Sequence, residues 1–285
     1  ATNAVSTALI YEIIVEQKLA IQKVIVASSQ FVQGEGKYRC SNCQTQHTPL
    51  MRAEKDLVKR HWEHRCPNCE TPLSWQWTDE THIAPPNAYA LSKHSQEQQA
   101  IAFGERYGIP SVALRYSIVQ GARQSFYNAY SGACRIFCLN YYFAKAPTLY
   151  EDGGQFRDFV NIHDVVDANL LALTNSQMDG QVFNVGGGKA YTIKQFADIV
   201  RDEVQRHHLK TRPDAIIPAG YRFGDTRNAC SDISRLKSMG WSPSYSPVDS
   251  VREYVDWLFA QDNVEDILEY AQQTMQKLDV VRNSA

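Results

Sequence analysis

Tyr89 and Lys93 stand four residues apart in a stretch whose pattern predicts a helix over residues 88–107. Side chains with this spacing share one face of a helix. A free phenol, with a pKa of about 10, is a weak base at neutral pH, but a neighbouring ammonium favours the phenolate. Such a tyrosine can accept a proton from an alcohol while hydride leaves for a nicotinamide ring. An isolated pair of this kind is more often an ordinary surface pair.

Two Cys-x-x-Cys pairs form a second reactive set, Cys40 with Cys43 and Cys66 with Cys69. Paired knuckles of this kind suit a tetrahedral Zn²⁺ bound by four thiolates. We predict one structural zinc, because four thiolates leave no open position for catalysis. Four reduced thiols or two disulfides are the alternatives. Three nearby histidines are possible substitute ligands: His47, His61 and His64.

Composition excludes several classes of protein. The 285 residues include 29 basic and 31 acidic side chains, a net charge of −2, which argues against a nucleic-acid or membrane-surface binder. No stretch approaches the roughly 18 apolar residues of a membrane span. The first residues lack a signal-peptide pattern, so we expect a cytoplasmic, reducing location. Cys134 and Cys138 lie among apolar residues and are predicted to be core thiols, whereas Cys230 has no predicted role.

The elements that position Tyr89 and Lys93 read as a βαβ unit. Residues 23–29 are a short apolar run, typical of a parallel strand buried on both faces. The helix over 88–107 and a strand over 111–116 follow, which implies a parallel sheet. A helix is predicted over residues 3–19, with Asn3 as a possible cap.

The second half of the chain alternates strands and helices. Strands are predicted over residues 158–162 and 181–185, with a helix over 163–174 between them. A capping box at Thr192 starts a helix that runs to about residue 204. Further helices are predicted from Ser246, where proline follows, and over residues 263–278.

Taken in order, these motifs resemble the extended short-chain dehydrogenase/reductase family, in its nucleotide-sugar epimerase and dehydratase branch. The resemblance covers residues 1 to about 260, apart from an insertion at 37–77. The motifs that carry it lie at residues 24–34, 86–93, 114–116, 157–165, 183–187 and 222–225. The family resemblance implies an α/β fold with a Rossmann-like parallel sheet. It divides the chain into a partial NAD-binding domain (1–36 and 78–175), a zinc-ribbon-like insertion (37–77) and a smaller substrate-binding part (176–285).

The resemblance also implies roles for individual residues. Ser29, five residues before Gly34, matches the family's catalytic hydroxyl. Tyr89 matches its acid/base, and Lys93 the lysine that holds the nicotinamide ribose. Three further residues are expected beside the cofactor: Ala27, Ser28 and Ser117. Arg157 and Arg222 match arginines that bind the substrate diphosphate, with Asp225 on the nucleoside; surface ion pairs are the alternative for the arginines.

Departures from the family pattern limit which of the family's reactions this chain can catalyse. The 4,6-dehydratases place Asp-Glu directly after the catalytic residue, whereas this chain has Gln30 and Phe31. Without that acid, epimerisation through a 4-keto intermediate is the simplest chemistry. The sequence of residues 117–121 is similar to that of thymidine-diphosphate-rhamnose 4-epimerases with a four-cysteine insertion. A nucleotide-sugar dehydratase or reductase is an alternative.

The family's Gly-x-x-Gly-x-x-Gly turn, which holds the pyrophosphate of NAD, is missing from this sequence. We therefore expect an N-terminally incomplete chain with an incomplete NAD site, in which strand 24–28 becomes an apolar edge. A non-catalytic binding or scaffold subunit is the alternative, and a zinc-ribbon nucleic-acid module is disfavoured by charge. Expected partners are a nucleotide-diphosphate sugar and either a second copy or the missing segment.

Overall fold

A computed structural model describes residues 2–125, 127, 132–207, 211–218 and 220–284. The helices are α1 (Ala4–Glu16), α2 (Glu54–Val58), α3 (Ala88–Tyr107), α4 (Ala133–Tyr142), α5 (Ile162–Thr174), α6 (Ile193–Gln205), α7 (Ser234–Ser238), α8 (Pro247–Phe259) and α9 (Leu268–Lys277). The strands are β1 (Val24–Ser29), β2 (Lys37–Arg39), β3 (Gln46–His47), β4 (Ser74–Gln76), β5 (Ser111–Tyr116), β6 (Ile118–Gln120), β7 (Phe156–Asn161), β8 (Gln181–Val185), β9 (Ala190–Thr192), β10 (Gly220–Arg222) and β11 (Val281–Asn283).

The parallel sheet has the strand order β1-β5-β8, as the βαβ pattern predicts. Alternate side chains of these strands face opposite layers. Val26 and Ala113 pack with Tyr11 of α1, while Val112 and Leu114 join the core on the α5 side. Among the described strands β1 pairs with β5 alone, so it lies at an edge of the sheet, as expected, while Val26 packs on the α1 side and Ile25 on the α5 side.

Caps explain where the long helix beside this sheet begins and ends. The Asn87 side chain accepts a hydrogen bond from the Ala90 amide at 2.9 Å, and Gly108 ends α3 in the left-handed region at φ 67°. The predicted cap of α1 is wrong. Asn3 stands before the first residue of α1, but its own backbone is helical (φ −81°, ψ −64°) and its side chain makes no cap; its Nδ2 donates to the Ser92 hydroxyl at 2.9 Å and ties α1 to α3.

The insertion at 37–77 folds around its own antiparallel sheet of order β3-β2-β4. Its centre is small and apolar, and Tyr38, Cys40, Cys66 and Leu73 form it. A separate core cannot grow large in so short a segment, which leaves much of its stability to cross-links.

The second half contains a mixed sheet, β6-β7-β9, and the helices α4, α6 and α8 around a common core. The capping box predicted at Thr192 is present, and α8 starts after Ser246 with proline at its first position, as predicted; Ser246 also forms a capping box, with Asp249. Cys134 and Cys138 are buried in this core, as predicted. The tail helix starts later than predicted, at Leu268, and an unpredicted strand, β11, pairs with β10. No helix in the described part of the chain is long and apolar enough to cross a membrane.

Candidate active site

Lys93 and β1 are joined directly at the carboxyl end of the parallel sheet. The Lys93 Nζ donates to the Ala27 carbonyl at 2.7 Å and to the Gln96 Oε1 at 3.2 Å. Burial lowers the pKa of the Lys93 ammonium below its usual value. The hydrogen bond to β1 fixes the face of α3 that looks onto the strand end.

Tyr89 lies one helical turn closer to the strand end than Lys93. Its ring meets the ring of Phe31 edge-on, with centroids 6.2 Å apart, and half of the residue is exposed. Ser29 Oγ accepts the Phe31 amide at 3.2 Å, which leaves the serine O–H available as a donor. The structure therefore brings Ser29, Tyr89 and Lys93 to one end of the sheet.

Ser28 was expected beside the cofactor, but its hydroxyl donates to the buried carboxylate of Glu97. Arg115 holds the same carboxylate in a fork, with Nε and Nη2 each at 2.8 Å. The Ser28 hydroxyl is thus part of the packing between α3 and β5. Sequence reasoning missed Glu97, although its position four residues after Lys93 places both on one face of α3.

Ser117 is engaged in a buried cluster instead of offering its hydroxyl to a cofactor. Its Oγ donates to Asp158 Oδ2 at 2.8 Å, and the Gly187 amide donates to Oδ1 at 2.8 Å. Burial raises the pKa of Asp158 to about 6, against the effect of these hydrogen bonds. A Cβ on Gly186 would lie 2.0 Å from Asp158 Oδ2, so only glycine fits this approach.

Arg157 occupies a different role from the predicted diphosphate contact. Its Nη1 donates to the carbonyls of Phe156 and Arg227 at 2.8 and 3.0 Å, and its Nη2 to Thr226 at 2.8 Å. Burial lowers its pKa, with partial compensation from Asp225. The guanidinium is spent on backbone carbonyls, and so it shapes the segment around residue 226.

Arg222 and Asp225, the other two predicted substrate contacts, lie together at the end of β10 and just after it. Arg222 Nη1 is 3.7 Å from Asp225 Oδ2, and both side chains are partly exposed. A guanidinium in this setting can form paired hydrogen bonds with phosphate oxygens. The roles predicted for Arg222 on the diphosphate and Asp225 on the nucleoside stay predictions.

The four cysteines of the insertion converge on one point. All four sulfurs lie within 4.8 Å of one another, with Cys40 and Cys69 at 3.5 Å and Cys43 and Cys66 at 3.9 Å. Disulfide bonds need about 2.05 Å, whereas Zn–S bonds of about 2.3 Å in a tetrahedron separate the sulfurs by roughly 3.8 Å.

The three histidines considered as substitute ligands hold other positions. His47 Nε2 lies 3.6 Å from the Cys66 sulfur but only 2.8 Å from the Thr45 hydroxyl. His64 Nε2 lies 3.0 Å from the Glu35 carboxylate. His61 is no member of the metal-competent group found among the described residues, which consists of the four cysteines.

Similarity to known proteins decides the family. Residues 67–186 match the NAD dependent epimerase/dehydratase family. A dTDP-L-rhamnose 4-epimerase of Burkholderia thailandensis is 30% identical over 257 residues, which cover 90% of this chain and 68% of that enzyme. The chain belongs to the NAD-dependent epimerase/dehydratase family. The resemblance found in the sequence is thereby confirmed, and the parallel sheet is the Rossmann-like sheet of that family.

Two further members of the epimerase/dehydratase family show how much of the fold is shared. A putative UDP-glucose 4-epimerase of Methanocaldococcus jannaschii is 33% identical over 181 residues, which cover 63% of this chain and 56% of that protein. The solved UDP-N-acetylglucosamine 4-epimerase of Methanobrevibacter ruminantium, in complex with UDP-N-acetylmuramic acid, superposes with a TM-score of 0.68 at 26% identity. That comparison covers 91% of this chain and 69% of the solved one. The chain thus spans between about half and two thirds of such relatives.

Proposed function

We propose that this chain carries the catalytic and nucleotide-sugar-binding parts of an NAD-dependent nucleotide-diphosphate-sugar 4-epimerase. The observation that carries the proposal is the placement of Ser29, Tyr89 and Lys93 at one strand end in an epimerase-family fold. The residues after Ser29 are an amide and an aromatic ring, so no acid stands there to eliminate water.

The proton work falls to two side chains. Tyr89 accepts the proton of the sugar hydroxyl, because its phenol is exposed at the strand end beside Ser29 and can reach a substrate there. Ser29 donates its O–H to the same substrate oxygen and orients it. Bound NAD would supply the hydride acceptor and donor for the sugar carbon, with Tyr89 and Lys93 as the residues that would hold its ribose. The proton on Tyr89 then returns to the oxygen, and the configuration is inverted.

The described residues fit one half of NAD. Lys93 and Tyr89 are placed to hold the nicotinamide ribose, since the ammonium lies at the strand end beside Ala27. The sequence has no Gly-x-x-Gly-x-x-Gly turn for the pyrophosphate. The Ser28 and Ser117 hydroxyls have internal partners, so Ala27 and the backbone around it are left as the cofactor contact on β1.

We also propose that the four cysteines hold one structural zinc. The support is the near-tetrahedral spacing of the sulfurs and the small core of the insertion. A closed site of four thiolates supplies folding energy and no reactive water. The metal therefore stabilises the fold of the insertion and takes no part in the hydride or proton steps.

Inversion of configuration at the sugar C4 tests the proposed reaction. A preparation supplied with NAD and dTDP- or UDP-sugars is expected to form the C4 epimer, followed by proton NMR. Tyr89→Phe is expected to lower turnover by roughly 10²–10⁴-fold, because it removes the proton acceptor, while binding of the nucleoside diphosphate is retained.

Tyr107→Phe is the matched control for Tyr89→Phe, since Tyr107 is an exposed tyrosine at the far end of the same helix. Its turnover should equal that of the unmodified chain. Normal turnover in Tyr89→Phe would show that another group takes the proton. A dehydrated product in place of the epimer would overturn the assigned reaction.

A further inference from the structure

β10 and the residues directly after it are hydrogen-bonded to the insertion. We call residues 220–228 the substrate loop, because it includes Arg222 and Asp225. Four of its residues bond to groups from the insertion. Tyr221 Oη donates to Glu54 at 3.2 Å, the Asp225 carbonyl accepts from Arg52 at 2.9 Å, Arg227 Nη2 donates to Glu63 at 2.6 Å, and Asn228 Nδ2 donates to the Tyr38 hydroxyl at 3.2 Å.

Arg52 is the centre of this contact. Its Nη1 and Nη2 each donate to one oxygen of Glu151 at 2.8 Å, a paired hydrogen bond that fixes the plane of the guanidinium. The same Nη2 reaches the Asp225 carbonyl, and Nη1 reaches the Trp62 carbonyl at 3.1 Å. One side chain therefore joins the insertion, the segment before β7 and the substrate loop.

The surrounding charges are buried and interlocked. Glu151 also accepts from Arg227 Nη1 at 2.9 Å, and the Arg227 amide donates to Glu35 at 2.9 Å. Arg52, Glu151, Arg227 and Glu35 are all at least nine-tenths buried. Removing one member of such a cluster leaves the others buried without their partner, so the remaining groups must rearrange.

A bulk role in stability would not require contacts to this loop in particular. The insertion could have covered any surface, yet most of its polar contacts to the second half fall on residues 221, 225, 227 and 228 and on Glu151 beside them. The others meet Arg282 and Ser284, in and directly after the strand that pairs with β10. The contacts flank Arg222 and Asp225 and leave those two side chains partly exposed. This arrangement fixes the backbone of a binding segment and keeps its ligand-facing groups accessible.

We propose that Arg52 is a positioning residue for the nucleotide sugar, through which the four-cysteine insertion sets the affinity of the substrate loop for a nucleoside diphosphate. The inference rests on the proposed function, because it takes Arg222 and Asp225 as the groups that meet the diphosphate and nucleoside. Arg52 itself touches no substrate. It acts through the Asp225 carbonyl and through Glu151, and it leaves the proton chemistry at Tyr89 unaffected.

Arg52→Met and Arg52→Lys test the proposal, with UDP and dTDP as probes in calorimetry and hydrogen exchange measured over residues 220–228. Arg52→Met should weaken diphosphate binding at least tenfold, speed exchange in the loop and retain the zinc. In a preparation that turns over, KM should rise while kcat stays. Arg52→Lys should recover part of the affinity, because lysine keeps the charge and loses the paired geometry.

Arg39→Met is the control, since Arg39 is an exposed arginine of the same insertion whose side chain bonds to Gln44. It should change neither affinity nor exchange. Unchanged affinity and exchange in Arg52→Met, or equal effects in Arg39→Met, would overturn the proposal. If Arg52→Met does not fold, the same readouts on Arg52→Lys decide. If the unmodified chain binds neither diphosphate, the proposed function fails, while loop exchange in the Arg52 variants still tests the positioning.

Discussion

Different interactions hold the substrate loop (residues 220–228) and the end of the parallel sheet with Ser29, Tyr89 and Lys93, which we call the catalytic end. At the catalytic end, Ser29 and Tyr89 have few side-chain partners, and their places are set by strand pairing and by the cap of α3. In the substrate loop, side chains of distant segments meet in a buried network of ion pairs around Arg52 and Arg227. The groups proposed to exchange protons are thus left available, while the segment proposed to hold the diphosphate is fixed by other charges.

The contrast also separates two sources of order. The catalytic end depends on the backbone pairing of β1 with β5 and on the start of α3 beside it. The substrate loop depends on carboxylates and guanidinium groups from the insertion, from the turn before β7 and from the loop itself. We expect perturbations of the insertion to reach the loop and to spare the catalytic end.

Removing a metal ligand should give the largest effect, and it should change the substrate loop while leaving the catalytic end unchanged. Cys40→Ser should abolish binding of one zinc per chain, since structural zinc contributes on the order of 10 kcal/mol to folding in small modules. Hydrogen exchange should then rise across the insertion and the substrate loop, and stay low in β5 and α3. Metal analysis and exchange mass spectrometry measure both.

Ser41→Ala, an exposed substitution within the first knuckle, is the control for Cys40→Ser and should keep the zinc. A metal-free preparation in which the insertion is still fully protected would contradict the zinc site. Equal loss of protection in α3 would show that the two regions are not independent.

Asp158 links the mixed sheet to the residue that follows the substrate loop, since its amide donates to the Ala229 carbonyl at 3.2 Å. Its folded-state pKa of about 6 lies above the ordinary value of 3.8. The folded protein therefore binds this proton more tightly than the unfolded chain. The stability so gained is fully present below about pH 4 and is lost as the pH rises through 6, roughly 3 kcal/mol in all.

Asp158→Asn should remove that pH dependence, so the difference in unfolding free energy between pH 4 and 7 shrinks by about this amount. Urea titrations at several pH values measure it. Asp214→Asn, at a carboxylate with a largely exposed side chain, is the control and should keep the slope. An unchanged slope in Asp158→Asn would show that another group titrates in this range.

The smallest of these effects concerns a side chain that faces the ligand. Arg222→Ala should weaken nucleoside diphosphate binding by on the order of 2 kcal/mol, the usual loss for a charge-assisted contact. Turnover at saturation should change little, because the proton groups are untouched. Arg106→Ala, in the last turn of α3, is the control. Calorimetry that finds equal affinity in Arg222→Ala would remove Arg222 from the site.

Local patterns predicted much of the catalytic end. The bounds of α3 and β5 agree with the sequence, because helical spacing, Asn87 and Gly108 specify them within a few residues of chain. The two Cys-x-x-Cys pairs likewise predict that the four cysteine side chains lie close together. Family resemblance supplied the roles of Ser29, Tyr89 and Lys93, and the structure places them together.

Partners separated by long stretches of chain could not be predicted in the same way. Arg157 was expected on a diphosphate, but its guanidinium meets the carbonyls of residues 226 and 227, which only the folded chain brings near. The same holds for Arg52 and Glu151. An arginine has no pattern that distinguishes a buried internal fork from a ligand contact, because both use the same donors.

The pairing of β10 with β11 has a consequence for the order of events during synthesis. β10 carries Arg222, and Arg222 faces Val281 in the antiparallel register. A ribosome releases the chain from its N-terminal end, and domains form as their parts emerge. β1, α3 and β5 can dock while translation continues, whereas β10 must wait for residues 281–283. We therefore expect the nascent protein to form the β1–α3–β5 unit first and to complete β10, the strand proposed to meet the ligand, only after those residues have left the ribosomal tunnel.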